Sequence, residues 1–298
     1  MIIAVDIGGT KCQVARAEDS GKIQESVRFA TMDLAGTLAA IDEAVTSLSP
    51  DASPVFGISC GGPLDSARGI VQSPPNLPGW DNVPIVEHLV SRFGGTGYLM
   101  NDANAGALAE WQFGAGRGVQ SMVFLTHGTG MGSGLILDGR LYEGASGDAG
   151  EVGHIRLAEA GPIGYGKNGS FEGFCSGAGI GRLAEERIPG FPHPTAKQVA
   201  ELAEQGNPQA LAVLAESGKW LGRALAILID IINPEVIVLG SVYTRSGKFL
   251  EETMRAELAR EALPSALRAC RILPAQLGEQ TGIVAAVAVA TYRMGRRG

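Results

Sequence analysis

The chain has 298 residues, 45% of them hydrophobic and 18% charged, with a formal net charge of −7. That length suggests about two domains with ample core, and the acidic balance argues against a nucleic-acid-binding surface. Arg296-Arg297 is too short to act as a basic patch, and no apolar run reaches the roughly 20 residues of a membrane span. Ile2–Val5 is a short, β-branched run of the kind found in buried strands. It leads into Asp6, Gly8, Gly9, Thr10 and Lys11, and strand-like sequence then resumes. Gly8 and Gly9 lack the Cβ atoms that would keep backbone amides away from an anion. Thr10 adds a hydroxyl, and Asp6 falls where the strand ends. A hairpin here, rather than a loop feeding a helix, disfavours Walker-type and dinucleotide-binding readings. An ordinary hairpin turn in a buried sheet remains the alternative.

Leu34, Leu38, Ile41, Val45 and Leu48 recur at helical spacing and predict a helix over 34–48. A strand is expected over 54–59, running into the small residues Gly61 and Gly62. Pro74–Pro84 reads as a proline-rich loop carrying Asn76 and Trp80, residues that by themselves suit a turn and packing. Pro84 opens a helix with Ile85, Leu89 and Phe93 on its buried side. Tyr98–Met100 is a strand running into Asn101-Asp102, and 103–113 is helical. Gly114–Gly118 is a candidate hinge.

A second strand, Met122–Thr126, leads into a second glycine turn, His127-Gly128-Thr129-Gly130-Met131-Gly132, before Leu135–Leu137 resumes the apolar pattern. Two strand–turn–strand units point to duplicated lobes that grip one phosphate-bearing ligand, as in a bilobal phosphotransferase or ATPase. Beyond them come Gly150-Glu151-Val152-Gly153-His154 and a glycine-studded loop from Gly161 to Glu172. A long helix over 207–232 is halted by Asn233-Pro234, and a strand over 235–239 ends at Gly240. Gly282–Tyr292 reads as a buried helix of Ala and Val. The expected domains are 1–116, completed by a C-terminal helix over about 281–298, and 117–280, in an α/β fold.

Cys12, Cys60, Cys175 and Cys270 are scattered without metal-type spacing and read as reduced thiols. With a strand at the very start, neither an export signal nor a DNA-reading module is expected, which implies a cytoplasmic protein. Asp102 sits at a strand–helix junction, where open α/β sheets bind ligands. It is either a helix N-cap or a general base that takes a proton from an attacking hydroxyl. Asn76, Asn101, Glu151, His154 and Glu172 lie on loops rich in glycine. Their amides, carboxylates and imidazole suit paired hydroxyls. Beside two phosphate turns, that set describes a sugar phosphotransferase.

At these residues the chain resembles the ROK family of bacterial sugar kinases, within the actin/hexokinase-like ATPase superfamily. The resemblance is nearly full length and rests on 6–11, 75–80, 101–105, 128–132, 150–154 and 233–240 in family order. It implies two RNase H-like lobes with a cleft between them and Asp102 as catalytic base. Asn76, Asn101, Asp102, Glu151, His154 and Glu172 would bind a hexose. Asp6, Gly8, Gly9, Thr10 and Lys11, with Gly128, Thr129, Gly130 and Gly132, would hold ATP phosphates, and Gly240 would lie near the adenosine. It also implies magnesium (Mg2+) and a homodimer.

One departure from the family is large. The cysteines of the family's zinc motif correspond here to Ile163, Tyr165 and Ser170, which cannot build a structural zinc site. No zinc is therefore expected, and His154 needs another partner to orient it. A non-catalytic sugar-binding regulator, an acyl-phosphate kinase and a polyphosphate donor stay open as rivals. Glucose leads the candidate sugars, with N-acetylhexosamines, fructose and allose behind it.

Overall fold

The computed structural model describes residues 1–295, so Arg296-Arg297 and the last residues of the expected 281–298 helix lie outside the described residues. The chain divides into two compact units, one of 1–117 with the C-terminal segment from Glu279, the other of Gly118–Gly278. In the first unit, β1 (Ile2–Ile7), β2 (Lys11–Ala17) and β3 (Ile23–Ala30) form a meander, followed by α1 (Leu34–Ser47) and β4 (Val55–Cys60). The short pair β5 (Leu64–Asp65) and β6 (Ile70–Val71) precedes α2 (Ile85–Phe93), β7 (Thr96–Asn101) and α3 (Asp102–Phe113). The sheet order is β3-β2-β1-β4-β7. Its meander strands are antiparallel, while β1, β4 and β7 run parallel.

Helix α1 begins one turn after Thr31, capped by Asp33, and buries Ile41 and Val45 against the sheet. Pro84 stands at the N-cap of α2 rather than inside its first turn. Within the 74–84 loop Leu77 and Trp80 are buried, so they anchor it while Asn76 stays exposed.

The second unit repeats the winding. Strands β8 (Met122–Leu125), β9 (Ser133–Leu137) and β10 (Arg140–Tyr142) again form a meander. A small hairpin, β11 (Ile163–Gly164) with β12 (Lys167–Asn168), leads to α4 (Phe171–Cys175), α5 (Gly177–Arg187), α6 (Ala196–Glu204) and α7 (Pro208–Ile232). Asn233, in the left-handed conformation at φ 50°, ends α7; Asn tolerates that region better than most side chains. Then come β13 (Val236–Leu239), α8 (Ser241–Glu261), α9 (Pro264–Ala269) and β14 (Arg271–Pro274). The order β10-β9-β8-β13-β14 mirrors the first sheet, with β8, β13 and β14 parallel.

The chain closes with α10 (Thr281–Gly295), whose residues 283–290 are buried. It packs on the first sheet, and Gly57 of β4 permits that approach, because a Cβ there would strike the Ala286 carbonyl. Among the described residues no helix is long and apolar enough to cross a membrane.

Candidate active site

Register in the first sheet aligns the carboxyl ends of its parallel strands. Ile7 pairs with Cys60, and Cys60 with Asn101. The glycine turn after β1 and the start of α3 after β7 therefore lie at the same edge, where ligands of open α/β sheets bind. Gly8 donates its amide to the Lys11 carbonyl at 3.1 Å, and the Thr31 hydroxyl donates to the Gly8 carbonyl. Among the described residues the amides of Gly9 and Thr10 have no partner. Two adjacent open N–H groups on a glycine turn suit a phosphate oxygen.

Gly9 also seats the 74–84 loop. A Cβ on it would lie 2.6 Å from the Asn76 carbonyl oxygen, so the absence of a side chain brings Asn76 against the turn. Gly61 faces the same group, 3.6 Å from Asn76 Nδ2 and 3.9 Å from Asp102 Oδ2 when a Cβ is placed on it. The first unit thus gathers Asn76, Asp102 and the first turn.

Asn101, not Asp102, caps α3. Its Oδ1 accepts from the amides of Ala103 (2.9 Å) and Asn104 (3.4 Å). The capping reading of Asp102 falls, because the strand runs one residue further than expected and Asn101 takes the cap. Asp102 Oδ1 also accepts from Ala103 N–H at 2.9 Å, while Oδ2 is the oxygen turned toward Gly61. Solvent reaches this carboxylate, yet the surrounding protein displaces enough bulk water to raise its pKa above the usual aspartate range.

Asp6 is pushed up to about 6, first by burial and then by the Asp102 charge, with Lys11 and Arg28 pulling the other way. Its carboxylate abuts Gly282 at the start of α10, where a Cβ would collide with it. Sequence spacing carries no sign of this approach between Asp6 and the distant C-terminal helix.

In the second unit the turn after β8 is braced from three sides. The amides of Ser241 and Val242 at the start of α8 donate to the Thr126 and His127 carbonyls. Those of Gly177 and Ala178, opening α5, donate to Gly128 and Thr129 at 2.8 and 3.1 Å. Gly240 packs directly on the Thr126 carbonyl, with no room for a Cβ. The turn's own Thr129 and Gly130 amides have no partner among the described residues, the same feature as Gly9 and Thr10.

His127 is buried, and its Nε2–H donates to the Cys175 carbonyl at 2.9 Å. Burial pushes its pKa down to about 4, so it is neutral near pH 7.

Glu172 lies in the first turn of α4, and its Oε2 accepts from Met131 N–H at 3.1 Å. The segment 150–154 ends in the short helical turn Val152–His154. Gly150 is tied to Ser133, whose hydroxyl donates to the Gly150 carbonyl at 2.7 Å, and Gly153 packs on the Met131 carbonyl. Glu151 and His154 are exposed on this scaffold. The second unit thus brings the Glu151–His154 turn and Glu172 to its glycine turn.

At the three positions of the missing cysteines, Ile163 is exposed and Ser170 is buried as the N-cap of α4. Tyr165 stacks on the His154 ring. Cys12, Cys60, Cys175 and Cys270 are all unpaired.

Two sheets of one winding order, each with a glycine turn offering two open amides, define a phosphotransferase of the actin/hexokinase-like class. Residues 2–293 match the ROK family, and the chain belongs to that family. A glucokinase of Thermotoga maritima is 33% identical over 99% of this chain and 98% of its own length. An N-acetylmannosamine kinase of Citrobacter koseri is 33% identical over 87% of this chain and 89% of its own. A ROK family glucokinase from Streptomyces griseus, solved with glucose and AMPPNP, is similar at a TM-score of 0.80 and 31% identity, with 100% and 99% of the two chains covered. The chain is accordingly a sugar kinase.

Proposed function

We propose that this enzyme phosphorylates a glucose-like aldohexose or N-acetylhexosamine at a primary hydroxyl, with Asp102 as general base. The observation that carries the reading is the Asp102 carboxylate. One oxygen is held by Ala103 N–H and the other is presented beside Asn76 and the first glycine turn. A raised pKa makes it a better proton acceptor than an ordinary aspartate. Asp102 takes the hydroxyl proton as the sugar oxygen attacks the terminal phosphoryl group in line, and the opposite P–O bond breaks to release ADP. The open amides of Gly9 and Thr10, and of Thr129 and Gly130, donate to phosphate oxygens as charge moves onto them. Lys11 adds positive charge at the first turn, and Gly128, Gly132 and Gly240 keep the second turn free of side chains near the nucleotide.

Magnesium takes oxygen ligands and is held largely by substrate phosphates, so the hard carboxylate of Asp6 suits it as a protein partner. When bound, it neutralises phosphate charge.

Asn76, Asn101, Glu151, His154 and Glu172 contact sugar hydroxyls in this reading. Asn101 does so through Nδ2, since its Oδ1 caps α3, and Glu172 through the oxygen not committed to Met131. The replacement of three cysteines by Ile163, Tyr165 and Ser170 supports turnover without zinc. A cytoplasmic homodimer completes the proposal, and light scattering checks its mass.

A coupled ADP-release assay tests the reading, over hexoses and N-acetylhexosamines with magnesium-ATP and a zinc-selective chelator. Turnover with glucose or an N-acetylhexosamine under chelation is expected. Turnover confined to another sugar class would overturn the substrate assignment, and loss of turnover on chelation would overturn zinc independence.

A further inference from the structure

Tyr165 stands at the tip of the β11–β12 hairpin, in the left-handed backbone region at φ 51°, a costly place for a bulky side chain. Its ring lies on that of His154, with centroids 3.7 Å apart and planes 27° from parallel. Gly153 makes room for this, since a Cβ there would come within 2.8 Å of Tyr165 Cε2. Lys167, from the other strand of the hairpin, donates its Nζ to the His154 carbonyl at 3.0 Å.

The hairpin base is itself fixed. The Ser170 hydroxyl donates to the Gly164 carbonyl at 3.1 Å, and Gly164 packs so closely on α4 that a Cβ would lie 2.6 Å from the Gly173 amide. The stack is therefore tied to the helix that carries Glu172. Both rings remain solvent-exposed, Tyr165 at 42%, so burial of a core is not what holds them together.

A stack fixes the plane of an imidazole without using its nitrogens. Neither ring nitrogen of His154 has a hydrogen-bond partner among the described residues. We propose that Tyr165 is a positioning residue, whose ring holds His154 in the plane from which both imidazole nitrogens can meet sugar hydroxyls. The proposal rests on the assignment of His154 to sugar contact. Its physical content is preorganisation: an exposed histidine that would otherwise sample several rotamers is held in one, so less freedom is lost when the sugar binds.

Three variants test it, each checked for an unchanged melting temperature: Tyr165→Leu, Tyr165→Phe and His154→Ala, with the Tyr165→Leu/His154→Ala double variant closing the cycle. Loss of the stack in Tyr165→Leu should raise KM for the sugar about five- to tenfold and leave KM for ATP unchanged. Tyr165→Phe keeps the aromatic face and should leave the sugar KM much nearer the parent value than Tyr165→Leu does. In the His154→Ala background the Tyr165→Leu change should add almost nothing. The imidazole proton resonances of His154 should lose their ring-current shift in Tyr165→Leu and keep it in Tyr165→Phe.

An unchanged sugar KM in Tyr165→Leu, alongside a raised one in His154→Ala, would overturn the positioning role and leave the His154 assignment standing. An effect of Tyr165→Leu that persists in full without His154 would also overturn it. An unchanged sugar KM in His154→Ala would remove the sugar assignment itself, and the proposal with it.

Discussion

The two glycine turns follow the first strands of two similarly ordered sheets, and each leaves two adjacent amides open. Their surroundings differ in kind. Beside the first turn stand two carboxylates, Asp6 and Asp102, both with pKa values raised by desolvation. Beneath the second lies His127, buried and held neutral, with the starts of α5 and α8 bonded to the turn's carbonyls. The first turn stands beside two carboxylates whose protonated form is favoured by desolvation, whereas the second is braced through its own carbonyls by the starts of α5 and α8.

Removing the proton acceptor should break the comparison most severely. Asp102→Asn keeps the size of the side chain and can still accept from Ala103 N–H. It should lower kcat by about 10³-fold, within the range for loss of a positioned general base, while calorimetry shows sugar affinity within a few-fold of the parent. Retention of most of the turnover would remove the general-base assignment.

Steric tolerance sharpens the contrast at the next level. A Cβ on Gly9 meets the Asn76 backbone oxygen at 2.6 Å, whereas one on Gly128 meets only Ser241 Oγ at 3.7 Å, an ordinary contact. Gly9→Ala must therefore move the backbone of the Asn76 loop and should cost about 1–3 kcal/mol, as overpacking usually does. Gly128→Ala should stay within about 0.5 kcal/mol. Denaturant midpoints measure both, and equal losses would mean that the first turn does not seat the loop as described.

Much of this was legible in the residues. Both turns, the long helix ending at Asn233 and the buried Ala/Val helix follow from glycine placement and apolar spacing, which act locally. Contacts made by chain segments far apart left no such trace. Nothing in the spacing pairs Gly282 with Asp6, Glu172 with Met131, or Gly9 with Asn76, because each depends on how β-strands and helices come together. The capping role of Asn101 was hidden by a single residue, since Asn and Asp both favour that position. Tyr165 did leave a signal. An aromatic residue where the family places a cysteine asks what the ring touches, and the answer is His154.

The opposite titrations of the two units give the finest test. Asp6 binds its proton more tightly folded, with a pKa of about 6 against 3.8. Between those values the native state holds more protons than the unfolded chain. Stability therefore declines as pH rises through that window, and the cost is fully present above it. His127 runs the other way. Its pKa of about 4 folded, against 6.5, means stability is retained above 6.5 and is lost as pH falls toward 4.

Asp6→Asn should then stabilise the protein at pH 7.5 by about 1 kcal/mol, after allowance for solvent screening of a partly exposed carboxylate. The gain should vanish below pH 4. Because the Asp102 charge contributes to the shift, combining Asp6→Asn with Asp102→Asn should yield less than the sum of the single effects. Denaturant midpoints from pH 4 to 8 measure the difference. A gain that is flat across that range would mean that Asp6 ionises as an ordinary surface aspartate, and the proton-active character of the first turn would rest on Asp102 alone.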